Sequence, residues 1–171
     1  MTADSITLRL AQSADAEKIA FLSRDLIEAG LGWSWNPERV ARAIRNRDTV
    51  TLLACDRGER IIGFAVMRFG DEHAHLSLLA VRPSYQRRGL GRRLIDWLLA
   101  SARVAGIATI GLELRSSNHG ARRFYRAVGF NEGAYIPGYY RGREMALRMM
   151  LELRKVGMPL PPWPVARLPK R

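Results

Sequence analysis

The stretch His75–Leu99, HLSLLAVRPSYQRRGLGRRLIDWLL, decides the fold, because a strand, a glycine-containing turn and a helix follow one another in it. Leu76–Val81 is a short apolar run closed by Pro83, which predicts a buried strand. From Leu90 onward the apolar residues recur at the spacing of a helix. A strand, a turn and a helix in this order present free backbone N–H groups and a helix N-terminus to an anion.

The turn itself, QRRGLG at 86–91, predicts an anion site at the start of the helix. Gly89 and Gly91 have no Cβ, so an anion can approach the backbone closely. The glycine spacing differs from that of the dinucleotide fingerprint and of the NTPase phosphate loop. On spacing alone, the turn is either a phosphate site or a basic surface turn. Positive charge comes from four arginines in or beside it: Arg87, Arg88, Arg92 and Arg93.

The chain has the size and composition of one globular domain. It contains 171 residues, of which 47% are hydrophobic and 26% charged. No apolar run reaches the length of a membrane span, and the N-terminal residues lack the apolar core of a signal peptide. The single cysteine, Cys55, excludes an internal disulfide. We therefore expect a cytoplasmic protein with no membrane partner.

The formal net charge of +12 at pH 7 is high for one domain and is carried mainly by arginine. Such a charge implies an acidic partner or polyanionic surroundings. An anionic cofactor, a nucleoprotein surface such as the ribosome, and simple solubility all remain open as explanations.

Alternating or continuous apolar runs predict further strands at 6–10, 49–55, 61–69, 109–114 and 145–153. Asp15 is expected to cap a first helix, and Pro37 to begin a second one.

The composition changes near residue 157. Four prolines fall within Pro159–Pro164, which excludes a helix or a central strand there. We predict one domain over 1–156 and a Pro-rich basic tail over 157–171.

Two groups of motifs resemble the GNAT family of N-acetyltransferases. QRRGLG at 86–91 is similar to the Q/R-x-x-G-x-G/A signature with which that family binds the pyrophosphate of acetyl-CoA. LELRSSN at 112–118, FYRAVGF at 124–130 and GYY at 138–140 resemble the RimI branch, which acetylates the N-terminal amine of a ribosomal protein. The resemblance implies an α/β (α+β) fold with a mixed, mostly antiparallel twisted sheet of about seven strands, flanked by about four helices.

Acetyl transfer to an amine needs a base for the amine proton and a proton donor for the departing thiolate. Glu113 is the only acid on an apolar strand, where an unpaired carboxylate tends to have a raised pKa. It could equally be a sheet-edge residue or a partner for Arg115. Tyr125 lies on the inner stripe of a helix, where plain core packing is the alternative. The resemblance implies that Glu113 is the general base and Tyr125 the general acid.

The resemblance also implies the contacts to acetyl-CoA. The backbone of Leu79–Val81 would bind the pantetheine amides, and family members carry a bulge there that frees an N–H for the thioester oxygen. Asn118 would contact the pantetheine arm, and it can also cap a helix. The expected cofactor-binding residues are Leu79, Ala80, Val81, Gln86, Arg87, Arg88, Gly89, Leu90, Gly91, Arg92 and Asn118.

Four aromatic residues are candidates for the acceptor site. Trp33 or Trp35 could touch the substrate, and one of the two is expected to pack in the core instead. Tyr139 and Tyr140 could lie over the acceptor or simply pack in the last hairpin. The predicted substrate-binding residues are Trp33, Tyr139 and Tyr140.

His73 and His75 could ligate a metal from one strand face, but a surface pair without metal is favoured because no acidic or cysteine cluster completes a site.

The leading hypothesis is an acetyl-CoA-dependent acyltransferase that acts on a protein N-terminal amine, with a ribosomal protein as one candidate acceptor. The same chemistry on a lysine side chain or a small-molecule amine is the first alternative. A non-catalytic module that binds RNA or the ribosome is the second, and direct nucleic-acid binding is disfavoured because the arginines cluster at the glycine turn. The sequence leaves monomer and homodimer open.

Overall fold

A computed structural model describes residues 5–157 as one seven-stranded sheet with helices on both faces. The strand order is β1-β2-β3-β4-β5-β7-β6, and within the described residues only β4 and β5 pair in parallel. This arrangement confirms the mixed, mostly antiparallel sheet. The strands are β1 (Thr7–Leu10), β2 (Thr49–Cys55), β3 (Ile61–Phe69), β4 (His73–Val81), β5 (Thr109–Arg115), β6 (Asn131–Tyr140) and β7 (Glu144–Glu152). The helices are α1 (Ala16–Leu26), α2 (Pro37–Arg45), α3 (Leu90–Val104) and α4 (His119–Val128).

Local sequence signals explain where the helices begin and end. Pro37 occupies the first turn of α2, and the Asn36 side chain accepts a hydrogen bond from Arg39 N–H at 2.9 Å. Asn118 caps α4 in the same way, accepting from Ala121 N–H at 3.1 Å. Gly129 ends α4 in the left-handed region at φ 119°.

Asp15 does not act as the predicted side-chain cap of α1. Its carboxylate accepts a hydrogen bond from Gln12 N–H at 2.8 Å, and both of its oxygens accept from the Arg9 guanidinium, at 2.8 and 3.0 Å. These three bonds stabilise the short 3-10 turn Ser13–Asp15 that precedes the helix. The reason for the difference is that Arg9 on the edge strand competes successfully for this carboxylate.

The two faces of the sheet carry separate cores. Leu94 and Leu98 of α3 pack with Ile110 and Leu112 on one face. On the other face, α1 and α2 cover a second core centred on Phe64. Along β5 the buried and partly exposed residues alternate, so Glu113 projects from the face opposite to Leu112.

A bulge in β4 changes which side chains face which core. Leu76 lies opposite Met67 while Leu78 lies opposite Val66, so Ser77 is the extra residue. Before the bulge Leu76 packs in the core under α3, and after it Leu78 packs in the core under α1 and α2. The bulge lies two residues before the predicted segment Leu79–Val81.

The sheet splits beside this bulge, because the pairing of β4 with β5 ends just before it. β4 and β5 pair only where His73–His75 run beside Thr109–Gly111. After these residues, β4 continues to Val81 and β5 to Arg115 without pairing to each other. Because unpaired neighbouring strands leave backbone groups free, the split forms a polar cleft in the middle of the sheet.

No helix within residues 5–157 is long and apolar enough to cross a membrane. The predicted tail lies outside the described residues from 158 onward, as do residues 1–4. The division at residue 156 therefore stays a prediction.

We expect Asp15→Asn to lower the free energy of unfolding by about 1–3 kcal/mol at pH 7, because it removes a charge-assisted hydrogen bond. Hydrogen bonding from Arg9 lowers the pKa of the Asp15 carboxyl; burial opposes this shift, and the Gln12 N–H supports it. A lowered folded-state pKa stabilises the protein above the unfolded-state pKa of about 4, and this contribution is lost as the pH falls through the folded-state value.

Urea unfolding of both proteins between pH 7 and pH 3 measures this difference, which should shrink toward the acidic end. Asp25→Asn is the control, since its ion pair with Arg24 is exposed. A difference that grew on acidification would contradict the assignment.

Candidate active site

The turn before α3 exposes bare backbone. The first helical hydrogen bond of α3 runs from Arg93 N–H to the Gly89 carbonyl at 3.0 Å. Within the described residues, no carbonyl accepts from the preceding amides of Gly89, Leu90, Gly91 and Arg92. Gly89 has φ 76°, and a Cβ added to it would meet no atom within 4 Å. The hollow beside Gly89 is therefore open to a ligand, and it faces the positive end of a helix dipole.

Side chains hold this turn in shape rather than fill it. The Gln86 side-chain amide donates to the Val81 carbonyl at 2.9 Å, which ties the turn to the end of β4. Arg87 adopts the left-handed region at φ 63°, which is uncommon for a residue with a Cβ. The Leu90 side chain is buried in the core under α3. Leu90 can therefore contact a ligand only through its backbone N–H.

The arginines around the turn differ in their partners. Arg92 forms an ion pair with Asp96 one turn along α3, at 2.8 Å. Arg93 donates to the Ile6 carbonyl at 3.1 Å, and the Arg88 guanidinium lies 5.7 Å from the Tyr85 ring centroid. The surroundings of the hollow are cationic, which suits a polyanion.

A cavity of about 140 Å³ occupies the split between β4 and β5. It brings together residues that are distant in the sequence, and it connects the strand end near Leu79 with α4. Among the predicted site residues its lining includes Leu79, Glu113, Asn118, Tyr125 and Tyr140. Ala80 packs instead in the core under α1 and α2.

Tyr125 lies at the wall of this cavity and is 8% exposed. Its ring makes edge contacts with Phe124 and Phe130, with centroids 5.1 and 5.5 Å away. Among residues 5–157, no group forms a hydrogen bond with the Tyr125 hydroxyl. Burial raises the pKa of Tyr125, and the nearby Tyr140 raises it further. The phenol is therefore neutral and able to donate a hydrogen bond into the cavity.

Glu113 is held by two nitrogen-bearing side chains from neighbouring strands. His75 Nε2 donates to one carboxylate oxygen at 2.6 Å, and Arg148 Nε donates to the other at 2.9 Å. Burial acts to raise the pKa of the Glu113 carboxyl, but the hydrogen bonds and charges of His75 and Arg148 outweigh it. The net direction is downward, so the expectation of a raised pKa is wrong. The reason is that the carboxylate is paired, whereas the expectation assumed that it was not.

The alternative partner Arg115 has a different role. Its guanidinium donates to the carbonyls of Ile27 and Ala29, and it lies 3.6 Å from the Glu144 carboxylate. These contacts anchor the segment between α1 and α2 to β5.

No local sequence signal indicates that His75 and Arg148 are partners of Glu113. His75 lies beside Gly111 in the parallel pair, and Arg148 lies directly opposite Glu113 in β7. Only the strand register could have revealed both neighbours. His73 lies beside Thr109 and shares a hydrogen bond with its hydroxyl. Within the described residues, no group of three or more His, Cys, Asp or Glu side chains could hold a metal ion.

A larger groove of about 1060 Å³ crosses the face of the sheet that α1 and α2 leave uncovered. Glu113 lines both this groove and the cavity in the split, so it stands where the two meet. Trp35, Tyr139 and Tyr140 also line the groove. The two tyrosine rings meet edge to face at 4.9 Å.

Trp33 is placed differently from Trp35. Its indole N–H donates to the Ala20 carbonyl at 3.0 Å, and its ring stacks on Phe21 with centroids 5.4 Å apart. It lines neither the groove nor the cavity in the split. Of the two tryptophans, Trp35 is thus the one at the groove.

Comparisons with known proteins agree on one family. The sequence model described as "Acetyltransferase (GNAT) family" matches residues 19–130. The [ribosomal protein bS18]-alanine N-acetyltransferase of Escherichia coli K12 is 37% identical over 114 residues, which cover 58% of this chain and 77% of that protein. The N-alpha-acetyltransferase RimI of Mycobacterium tuberculosis is 32% identical over 151 residues, covering 82% of this chain and 89% of that one.

The solved structures agree with the sequence comparisons. The crystal structure of the ribosomal-protein-S18-alanine N-acetyltransferase from Escherichia coli superposes with a TM-score of 0.77 at 29% identity, covering 90% of this chain and 97% of that one. A strand split beside a bare helix N-terminus, a matching sequence family and a matching fold lead to the same conclusion. The chain belongs to the GNAT family of acetyltransferases, enzymes that take their acetyl group from acetyl-CoA.

Proposed function

We propose that this enzyme acetylates the N-terminal α-amine of a protein or peptide. The observation that carries the proposal is the position of Glu113, which lines both the narrow cavity in the sheet and the wide groove. A thioester delivered through one opening and an amine delivered through the other would meet at this carboxylate. The relatives named for alanine N-acetylation and N-alpha-acetylation support the same acceptor class.

Acetyl-CoA would bind along one continuous path. The diphosphate would accept hydrogen bonds from the free amides of Gly89–Arg92 at the start of α3. The pantetheine arm would follow Leu79–Val81 into the split between β4 and β5, with Asn118 on the opposite wall. This route directs the thioester toward Glu113 and Tyr125.

The reaction forms a bond between the amine nitrogen and the acetyl carbonyl carbon and breaks the carbon–sulfur bond. An α-amine has a pKa near ~8, so a useful fraction is neutral at physiological pH. Glu113 stays ionised because its pKa is lowered. It attracts and orients the amine, and it accepts the proton, directly or through a water, as the amide forms.

Tyr125 would stabilise the leaving group. Because burial raises its pKa, the phenol keeps its proton and donates a hydrogen bond to the departing thiolate. The thiolate is stable enough to leave with this help, since thiols have a pKa of about 8.5.

His75 and Arg148 would position the base. Each holds one oxygen of Glu113, so the carboxylate has a fixed orientation before the substrate arrives. Fixed orientation lowers the reorganisation that the reaction requires.

The cofactor site is tested by Gly89→Glu. We expect the dissociation constant of acetyl-CoA, measured by calorimetry, to rise about a hundredfold or more, because a carboxylate would stand beside the diphosphate. The thermal stabilisation by acetyl-CoA, worth about 2.7 kcal/mol at a hundredfold excess over the dissociation constant, should disappear with it.

The matched control is Gly30→Glu. Gly30 has φ 78°, nothing lies within 4 Å of its added Cβ, and it is far from α3 in the sequence. Both substitutions carry the same backbone strain and the same charge. Equal loss of binding in the two variants would contradict the site at Gly89.

The acceptor is tested with three substrates at fixed acetyl-CoA: a peptide with a free N-terminal alanine, the same peptide with a blocked N-terminus and an internal lysine, and a small polyamine. We expect kcat/KM for the free α-amine to exceed the other two by about a hundredfold, because the neutral fraction of a lysine is about 250 times smaller. If the lysine peptide or the polyamine is acetylated faster, the preferred acceptor is that amine and the proposed α-amine acceptor is wrong.

The roles of Glu113 and Tyr125 are tested by Glu113→Gln and Tyr125→Phe. We expect kcat to fall about a hundredfold or more for the first variant, since general-base catalysis is lost. For Tyr125→Phe we expect a fall of about tenfold to a hundredfold, because the ring packing remains and only one hydrogen bond is removed. Acetyl-CoA binding should be unchanged in both variants.

Tyr135→Phe is the control for the phenol, since Tyr135 is an exposed residue of β6. Unchanged turnover in Glu113→Gln would remove this residue from the mechanism.

A further inference from the structure

Three of the four arginines that line the wide groove have no carboxylate partner among residues 5–157. The lining includes Arg39, Arg68 and Arg141, all of which are exposed. No acidic side chain among residues 5–157 forms an ion pair with any of the three. Arg39 lies over the Trp35 ring, 4.1 Å from its centroid, which fixes its guanidinium without neutralising it.

The two carboxylates of the groove are both occupied by internal bonds. Glu28 is buried, and its oxygens accept hydrogen bonds from the Ser23 hydroxyl, the Ser34 backbone and hydroxyl, and the Trp35 N–H. Glu113 accepts from His75 and from Arg148, the fourth arginine of the lining. Neither carboxylate is free to neutralise the three unpaired guanidinium groups.

The residues outside the described range add little negative charge. Residues 158–171 contain no Asp or Glu, and residues 1–4 contain only Asp4. The groove therefore carries an excess of positive charge, which can attract an anionic ligand.

The charge lies at a defined distance from the reacting amine. Arg68 is directly opposite His75 in the β3–β4 pair, and His75 is hydrogen-bonded to Glu113. Two strand spacings of about 4.8 Å separate β3 from β5. An extended peptide advances about 3.3 Å per residue, so Arg68 would face the side chains about two to four residues from the amine.

Arg141 closes the groove from the opposite side. It belongs to the turn between β6 and β7, and its guanidinium packs on Gly32 in the segment between α1 and α2. A Cβ at Gly32 would overlap this guanidinium, so the glycine makes room for it.

Resting on the proposed N-terminal acetylation, we propose that the acceptor is an acidic N-terminal segment, whose Asp or Glu side chains in the second to fourth positions face Arg39, Arg68 and Arg141. The unpaired guanidinium groups attract carboxylates, and they repel a segment that carries lysine or arginine at the same positions. The three arginines are therefore specificity-determining residues of the acceptor groove.

The test compares three peptides that differ only after an N-terminal alanine, with two aspartates, two serines or two lysines in the second and third positions. In 50 mM salt we expect kcat/KM to fall about tenfold from the acidic to the neutral peptide and further to the basic one. The preference should weaken in 300 mM salt, because exposed charges are screened.

Arg68→Glu and Arg141→Glu should each remove most of the acid preference while acetyl-CoA binding stays unchanged. Arg103→Glu is the matched control, since Arg103 is exposed in the last turn of α3 and outside the groove lining. It changes the net charge equally and should keep the preference. Two groove variants are used so that the failure of one to fold leaves the other to decide.

The outcomes separate this inference from the proposed function. Equal rates for the three peptides, or an acid preference kept by both groove variants, would overturn the acidic acceptor and leave N-terminal acetylation standing. If no peptide with a free N-terminus is acetylated, both the acidic acceptor and the proposed N-terminal acetylation are overturned. Stronger inhibition by an oligouridylate than by an acidic peptide of equal charge would overturn the inference in favour of nucleic acid.

Discussion

The separation of β4 from β5 is the constraint on which the rest of the structure depends. If the two parallel strands stayed paired to their ends, their backbone N–H and C=O groups would hydrogen-bond to each other and none would be left for a ligand. Here the pairing ends after His75 and Gly111, and the strands beyond these residues diverge around a cavity. The split gives a flexible thioester arm a path through the sheet, with backbone groups left to receive it. The bare helix start at Gly89 lies at one end of this path.

The bulge at Ser77 allows the divergence without loss of the core. One extra residue in β4 inverts the alternation of its side chains, so Leu78 and Ala80 point to the core under α1 and α2. Leu79 and Val81 then pack toward α3. The second half of β4 thus has apolar side chains on both faces, one set for each core. This explains why the sequence is continuously apolar after the bulge.

Glu113 illustrates how the sheet sets the chemistry of one carboxylate. Burial alone would favour its protonated form, and the neighbouring His75 and Arg148 reverse that preference. Both come from the strands on either side, so the protonation state is a property of the strand order. The same two contacts orient the carboxylate between the cavity and the groove, which links its charge to its position.

Much of the site could be predicted from local signals. The glycine turn, the cap at Asn118 and the isolated Glu113 all depend on neighbours within a few residues. Residues that act across strands could not be predicted in this way. The partners of Glu113, the bulge at Ser77 and the different surroundings of Trp33 and Trp35 depend on register and on how the α1–α2 segment folds back.

The sequence by itself determined the order of strands and helices, the open turn before α3 and the family to which these motifs belong, because hydrophobic period and glycine geometry act over short distances. Only the tertiary structure decided that Glu113 is an ionised, doubly held carboxylate and that unpaired arginines line the groove beside it. The physical reason is that electrostatic environment depends on distances through space, which strand pairing fixes between residues far apart in the chain.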